Sequence, residues 1–331
     1  MDPTDELERG RESYASRAWS DANERLSRAD QATPLGAGDL ELLANSAYMV
    51  GRDEDYLRAL ERAHHAHVEA GELPGAARCA FWIGLCLMVL GETARAAGWF
   101  GRADRVLASL GHECVERGYL LIPALLEHAH SGDHAAACAI AAEAAEIGER
   151  FGDRDLVALV VQEQGHALVR LGRTREGLRL VDEVMVSVTA GELSSIVTGL
   201  IYCNTIAFCQ SVYQVRRARD WTAALTRWCD EQPEMVAHSG QCLVHRAEIM
   251  QLGGAWPDAL AEARRARARF KQGPGPVAAP RHEGAALYRQ GEVHRLRGEL
   301  AAAEEAYREA SRYGAEPQPG LALLRLAQGD G

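Results

Sequence analysis

From Gly240 the chain reads GQCLVHRAEIMQLGGAWPDALAEARRARARF. A helical run with a small residue at its eighth position, Ala247, ends in a turn at Gly254; Trp256 follows, then small residues at Ala259, Ala263 and Ala266. Spacings of three and four put those small residues on one helix face. The stretch from Gly284, GAALYRQGEVHRLRGELAAAEEAYREASRYGAEP, repeats this position by position: Gly291 is eighth, Gly298 is the turn, and Ala303, Tyr307 and Ala310 follow. The pattern predicts pairs of antiparallel helices that cross where the small residues fall. Gly or Ala at a crossing lets the backbones approach, and bulky neighbours fill the gaps.

The same template fits upstream. From Ala77 it gives Gly84, Gly91, Ala96, Phe100 and Ala103; from Ala158, Gly165, Gly172, Gly177, Val181 and Val184. From Gly118 it gives Leu125, Gly132, Ala137, Ala141 and Ala144, and from Ala37, Ala44, Gly51, Leu60 and Ala63. The fit from Pro3 rests on Gly10, Ala22 and Leu26, and the fit from Gly199 is poorest, with Tyr213 in place of the turn glycine. Starts at 3, 37, 77, 118, 158, 199, 240 and 284 lie 34, 40, 41, 40, 41, 41 and 44 residues apart. This is the tetratricopeptide-repeat pattern, whose standard unit has about 34 residues, so most units carry extra residues that lengthen helices or loops. The predicted fold is all-α: one right-handed α-α superhelix of about eight hairpins over residues 1–331. A half-repeat or cap occupies 318–331, and GPGPVAAP (273–280) is the clearest flexible insertion.

Composition agrees with an all-helical chain and narrows its chemistry. Apolar residues make up 47% but aromatics only 6%, so the core is expected to be largely Ala, Leu and Val. The net charge of −11 argues against nucleic-acid binding by these residues, which needs a basic face. The basic run Arg264, Arg265, Arg267, Arg269 and Lys271 reads as a solvated helix end. Eight cysteines lie far apart with no CxxC, as free thiols of a cytosolic protein. The charged N-terminus MDPTDELERG is no signal peptide, and the longest apolar run, 79–90, is too short to span a bilayer. A soluble, cytoplasmic protein without a membrane partner is expected.

Several stretches resemble the N-terminal repeat region of a large actinobacterial family, the LuxR-type transcriptional regulators with tetratricopeptide repeats. They are RCAFWIGLCLMVLGETARAAGWFGRA (78–103), ECVERGYLLIPALL (113–126), AAEIGERFGDRDLVAL (144–159), GQCLVHRAEIMQLGGAWPDALAEARRA (240–266) and EPQPGLALLRLAQGDG (316–331). In that family a DNA-binding helix-turn-helix follows further helices. No short basic recognition helix is found here, so the resemblance implies the sensing half of a regulator and no direct contact with nucleic acid.

No P-loop, GxSxG elbow, HExxH or strand-linked GxGxxG occurs. The segment ERAHHAHVEAG (61–71) holds His64, His65 and His67, of which at most two share a helix face. In the register from Ala37 they fall at the end of a second helix, on the outer layer, beside Glu61 and Glu69 and without a partner ligand. His128, His130 and His134 flank the turn at Gly132. The sequence assigns neither cluster a metal, and no cofactor is expected.

The functional expectation rests instead on the first helices, whose second, fifth, ninth and twelfth residues line the concave face of such arrays. These are Asn45 and Tyr48, Arg78 and Phe81, Gln162 and His166, Cys203 and Gln210, Gln241 and Glu248, Tyr288 and Glu292, with Tyr119, Tyr202, Asn204 and His245 beside them. A wall of Tyr, Asn, Gln, His and Glu suits a protein segment, a peptide or a small polar effector. Asn204, within the apolar run IYCNTIAF, is expected to be a buried amide in need of a partner. The sequence therefore points to a non-enzymatic sensor or scaffold of a LuxR-like regulator, with oligomerisation left open. The alternative is an enzyme of bacterial specialised metabolism recruited from the same solenoid. It would draw acid-base or metal chemistry from Glu163, His166, His245 and Glu248, two i, i+3 pairs a whole repeat apart.

Overall fold

The computed structural model describes residues 3–232, 234–235, 237–272 and 279–329, and all their regular structure is α-helical. Most of GPGPVAAP, at 273–278, lies outside the described residues. The helices pair along the chain. The first pairs are α1 (Pro3–Ala15) with α2 (Trp19–Ala32), α3 (Ala37–Met49) with α4 (Asp53–Ala70), and α5 (Leu73–Val89) with α6 (Thr93–Ala108). Then α7 (Glu116–Tyr119) and α8 (Ile122–Ser131) together face α9 (His134–Phe151), and α10 (Arg154–Arg170) pairs with α11 (Thr174–Thr189). After α12 (Ser195–Ser211) and α13 (Val215–Asp230), the last pairs are α14 (Ser239–Leu252) with α15 (Trp256–Gln272), and α16 (Ala279–Leu296) with α17 (Leu300–Arg312). A single helix, α18 (Gly320–Gln328), follows. The fold is an α–α solenoid of stacked hairpins, and no described helix is long and apolar enough to cross a membrane.

Two compact units divide the chain: Met1–Tyr48 with Glu54–Thr205, and Met49–Asp53 with Ile206–Gly331. The template starts at 3 and 37 coincide with the first residues of α1 and α3. The other six fall within the first two turns of α5, α7, α10, α12, α14 and α16.

Close crossings explain the small eighth residues. A Cβ at Gly84 would stand 2.5 Å from the Phe100 ring, and one at Gly291 would stand 2.7 Å from the Tyr307 ring. Gly165 and Gly177 face each other across α10 and α11, and a Cβ on Gly165 would meet the Gly177 carbonyl oxygen at 2.8 Å. Such contacts are impossible for any larger residue without separating the helices. At the turns, the six template glycines from Gly51 to Gly298 have φ between 76° and 86°. Arg17 (φ 62°) and Tyr213 (φ 58°) adopt the same left-handed turn without being glycine.

Two local features depart from the sequence reading. The fourth first-helix is broken between α7 and α8: in an unbroken helix Pro123, which has no N–H, would leave the Tyr119 carbonyl without its donor and crowd it with the ring, and Pro123 sits instead in the first turn of α8. The basic run on α15 is only partly solvated. Arg267 pairs with Glu283 at 2.9 Å and Glu309 at 3.1 Å, and Arg269 Nη2 donates to the Met235 carbonyl at 3.0 Å, so the run ties neighbouring segments together.

In the first unit the core between α5 and α10 gathers Phe81, Tyr119, Ile122 and Leu125 with Ala137, Ala141 and Leu156. In the second, α18 lays Leu324 (0% exposed) against Ala303 and Tyr307 of α17, and Gly320 N–H donates to the Tyr288 hydroxyl at 3.3 Å. The half-repeat thus covers the last hairpin.

Candidate functional site

The first-helix positions behave differently in the two units. In the first, several residues expected on an open wall belong to the core. Phe81 (0% exposed) packs its ring 5.2 Å from that of Tyr119, Tyr119 (3%) donates its hydroxyl to Asp153 at 3.0 Å, and Tyr202 (3%) is buried. Burying rings of that size outweighs presenting them to solvent in an alanine-rich array short of bulky side chains. Burial also raises the Tyr119 phenol far above its usual range, with the charges of Asp153 and Asp155 adding to it. Gln162 (1%) is structural too: its Nε2 donates to the Ile201 carbonyl at 2.9 Å and to Thr205 Oγ1 at 2.6 Å, fastening α10 to α12.

Asn204 reverses its expectation. It is exposed, while Ile201, Tyr202, Thr205, Ile206, Phe208 and Cys209 are buried. The helix keeps an apolar stripe at 3.6-residue period, and Asn204 lies on the solvent side of it. The remaining positions of this unit are half-buried: Asn45 donates to the Tyr14 hydroxyl at 3.3 Å, and Tyr48 lies 5.2 Å from Tyr56. Arg78 pairs with Glu116 at 3.6 Å, His166 with Glu163 at 3.4 Å, and Cys203 is half-buried.

The second unit builds a continuous polar strip from α14 and α16. Gln241 Nε2 and His245 Nε2 lie 3.4 Å apart on one turn of α14. One turn on, Glu248 pairs with Arg289 Nη2 of α16 at 2.9 Å, and Arg289 Nη1 donates to Gln251 Oε1 at 3.4 Å. The same guanidinium lies 5.6 Å from the centre of the Tyr288 ring. Glu292 accepts from the Tyr307 hydroxyl and pairs with Arg295 at 3.0 Å. Burial raises the Glu248 carboxyl above its ordinary value; Arg289 opposes the shift and the Glu292 charge adds to it. Glu248 thus turns to Arg289 of α16. The Glu163–His166 pair belongs to the other unit.

Two amides on this side leave hydrogen-bonding atoms unused. Gln210 Nε2 on α12 and Gln241 Oε1 on α14 are buried with no hydrogen-bond partner among the described residues. One is a donor and the other an acceptor. Leaving such a buried group unpaired costs about 1–3 kcal/mol, so both are poised for a bound polar group or water.

The histidine cluster on α4 is not the isolated surface feature its sequence position implied. His64 (2% exposed) has Nδ1 2.8 Å from the Ala76 carbonyl oxygen and its ring edge-on to Trp99, while His65 is exposed. His67 (7%) sits between two carboxylates, Nε2 at 2.6 Å from Glu41 Oε1 and Nδ1 at 2.7 Å from Glu72 Oε2. Glu41, His67 and Cys79 bring one ligand atom each to within 4.8 Å of one another. At the Gly132 turn His128 instead lies 3.4 Å from Asp133, and His130 Nδ1 lies 2.7 Å from the Leu126 carbonyl oxygen.

Sequence reasoning missed Arg289, Gln251, Glu41, Glu72 and the participation of Cys79. Glu41 was within reach: it is the fifth residue of the helix begun at Ala37, in the same inward series as Asn45 and Tyr48. Gln251 was too, as the twelfth residue from Gly240; the other three depend on contacts between hairpins, which no single helix pattern encodes.

No family model and no curated protein matches this chain. Its likeness is to solved structures. BtubC (BKLC) from P. vanneervenii is similar with a TM-score of 0.51 at 18% identity, over 71% of this chain and 94% of that one. A signal-transduction ATPase with numerous domains and a tetratricopeptide-repeat sensor, from Pyrococcus horikoshii, gives a TM-score of 0.50 at 13% identity, over 95% of this chain and 47% of that one. At these identities the likeness establishes a tetratricopeptide-like helical-repeat fold.

Proposed function

We propose that this chain is a non-enzymatic tetratricopeptide scaffold that holds a protein segment, a peptide or a small polar effector along its first helices, as the sensing part of a LuxR-like regulator. The observation that carries the reading is the α14–α16 strip. It combines a fixed charge pair, Glu248 with Arg289, an aromatic face at Tyr288, and an unpaired buried acceptor at Gln241. Such a surface offers an extended backbone what it lacks in isolation: a donor, an acceptor and a flat apolar face in a row. The resemblance of residues 78–103 and 240–266 to the repeat region of LuxR-type regulators supports the regulatory half of the reading. The neighbour from Pyrococcus horikoshii is described as carrying such repeats as a sensor.

The test is a peptide-display selection on the immobilised chain, followed by calorimetry of the selected sequences against variants. Selected peptides are expected to lose at least tenfold in affinity, about 1.4 kcal/mol, in Gln241→Leu and in Arg289→Met, with unchanged far-ultraviolet circular dichroism. Selection of nothing, or of peptides indifferent to both substitutions, rejects the strip as the binding surface.

A further inference from the structure

The His67 cluster lies in the first unit, outside the strip just described. Its three side chains come from three consecutive helices: Glu41 from α3, His67 from α4 and Cys79 from α5. The donors are a carboxylate, an imidazole and a thiol, and two of the three residues are almost wholly buried, His67 at 7% and Cys79 at 1% exposure. We propose that Glu41, His67 and Cys79 bind a zinc ion that clamps the second hairpin to the third.

The donor chemistry selects the metal. Magnesium and calcium take oxygen ligands and avoid thiolate and imidazole, whereas zinc accepts nitrogen, sulfur and oxygen together. The charges balance: the Glu41 carboxylate and a Cys79 thiolate supply two negative charges, His67 binds as neutral imidazole, and the thiol proton passes to solvent. Zinc–ligand bonds of about 2.0–2.3 Å place tetrahedral ligand atoms roughly 3.3–3.8 Å apart. The Glu41–His67 contact must therefore open from 2.6 Å, and the widest separation, within 4.8 Å, close, each by no more than about an ångström. Water takes the fourth position on the side of Glu41, whose side chain is 26% exposed.

Three surrounding features fit a metal-binding imidazole. His67 presents Nε2 to Glu41 while Nδ1 meets the Glu72 carboxylate, the outer carboxylate–histidine arrangement that fixes the ring. Glu72 precedes α5 at the position where Asp133 and Asp153 cap α9 and α10 with their side chains, yet its own carboxylate makes no cap and turns to His67 instead. Gly75 lies against the imidazole, where a Cβ would come within 2.7 Å of the ring, so the backbone closes over its face. An imidazolium pinned by two carboxylates accounts for the two glutamates but not for the thiol brought beside them.

The test uses untagged full-length chain, stripped with chelator, reconstituted with zinc or cobalt(II), and desalted. The expected result is one zinc per chain by elemental analysis, with a near-ultraviolet thiolate-to-cobalt charge-transfer band in the cobalt form. Cys79→Ser and His67→Gln should each lower retained zinc at least tenfold and Cys79→Ser should abolish the band, while His65→Ala leaves both unchanged. Retained zinc below a tenth of an equivalent in the wild type overturns the proposal. So does metal that persists in both variants, which would place it elsewhere, as at the His128–His134 turn. Should His67→Gln fail to fold, the cobalt spectrum of the near-isosteric Cys79→Ser decides alone. Peptide selection on the α14–α16 strip is independent of either result.

Discussion

At the scale of single residues, the molecule spends conformational strain where its repeat lacks the usual small residue. Tyr213 takes the left-handed turn that six glycines take elsewhere, with φ 58° and 87% of its surface exposed. The left-handed conformation costs an ordinary residue about 1–2 kcal/mol, and Tyr213 recovers little of that through packing. Tyr213→Gly is therefore expected to stabilise the chain by about 0.5–1 kcal/mol after the added flexibility of the unfolded state is subtracted. The check is the urea midpoint at constant slope, and a lowered midpoint would show that the tyrosine side chain holds more than its exposure implies. Residue identity alone misled in the case of Asn204: an amide inside an apolar run looks buried, yet helical rotation turns it to water. His67 misled in the opposite direction, because its partners arrive from α3 and from the turn before α5.

Single helices show how local signals and tertiary contacts share the same atoms. Asp133 and Asp153 both cap a helix, accepting from Ala136 N–H at 3.1 Å and Leu156 N–H at 2.8 Å. Asp153 also accepts the buried Tyr119 hydroxyl. Asp133→Ala should cost about 1 kcal/mol, the ordinary worth of a cap. Asp153→Ala should cost a further 1–3 kcal/mol or so, since it strands that hydroxyl without an acceptor. In a Tyr119→Phe background the extra cost should vanish and the two aspartates should become equivalent. Equal losses in the wild-type background would mean that the hydroxyl finds water. The elements themselves were legible in the sequence: the crossing residues at Gly84, Gly165 and Gly291 and the turns from Gly51 to Gly298 fall where the template puts them. The break at Pro123 was equally visible in principle, but an apolar pattern continuous through LLIPALL concealed it. The functional face was less legible, since Phe81, Tyr119 and Gln162 occupy inward template positions yet are consumed by packing between hairpins.

On the scale of the whole molecule, stability within each of the two compact units comes from neighbouring hairpins packed in sequence. Removing residues 317–331 strips α18 from the last hairpin and uncovers Tyr307 and Ala303, both 0% exposed. Losing the burial of Leu324 alone is worth roughly 1.5–3 kcal/mol. The shortened chain should therefore melt earlier and scatter light more strongly on heating, and an unchanged melt would show that the last hairpin shields itself. The crossing glycines carry a different consequence. Gly84 meets Phe100, Gly165 meets Gly177 and Gly291 meets Tyr307, and in every case both partners belong to one hairpin. A gene segment of about forty codons therefore transports its own complementary pair intact. Duplication or loss of such a segment preserves these three crossings and disturbs the joints with the hairpins on either side, such as Gly75 against His67 and Gly148 against Val157, which gives this architecture a route to new lengths that point mutation does not offer.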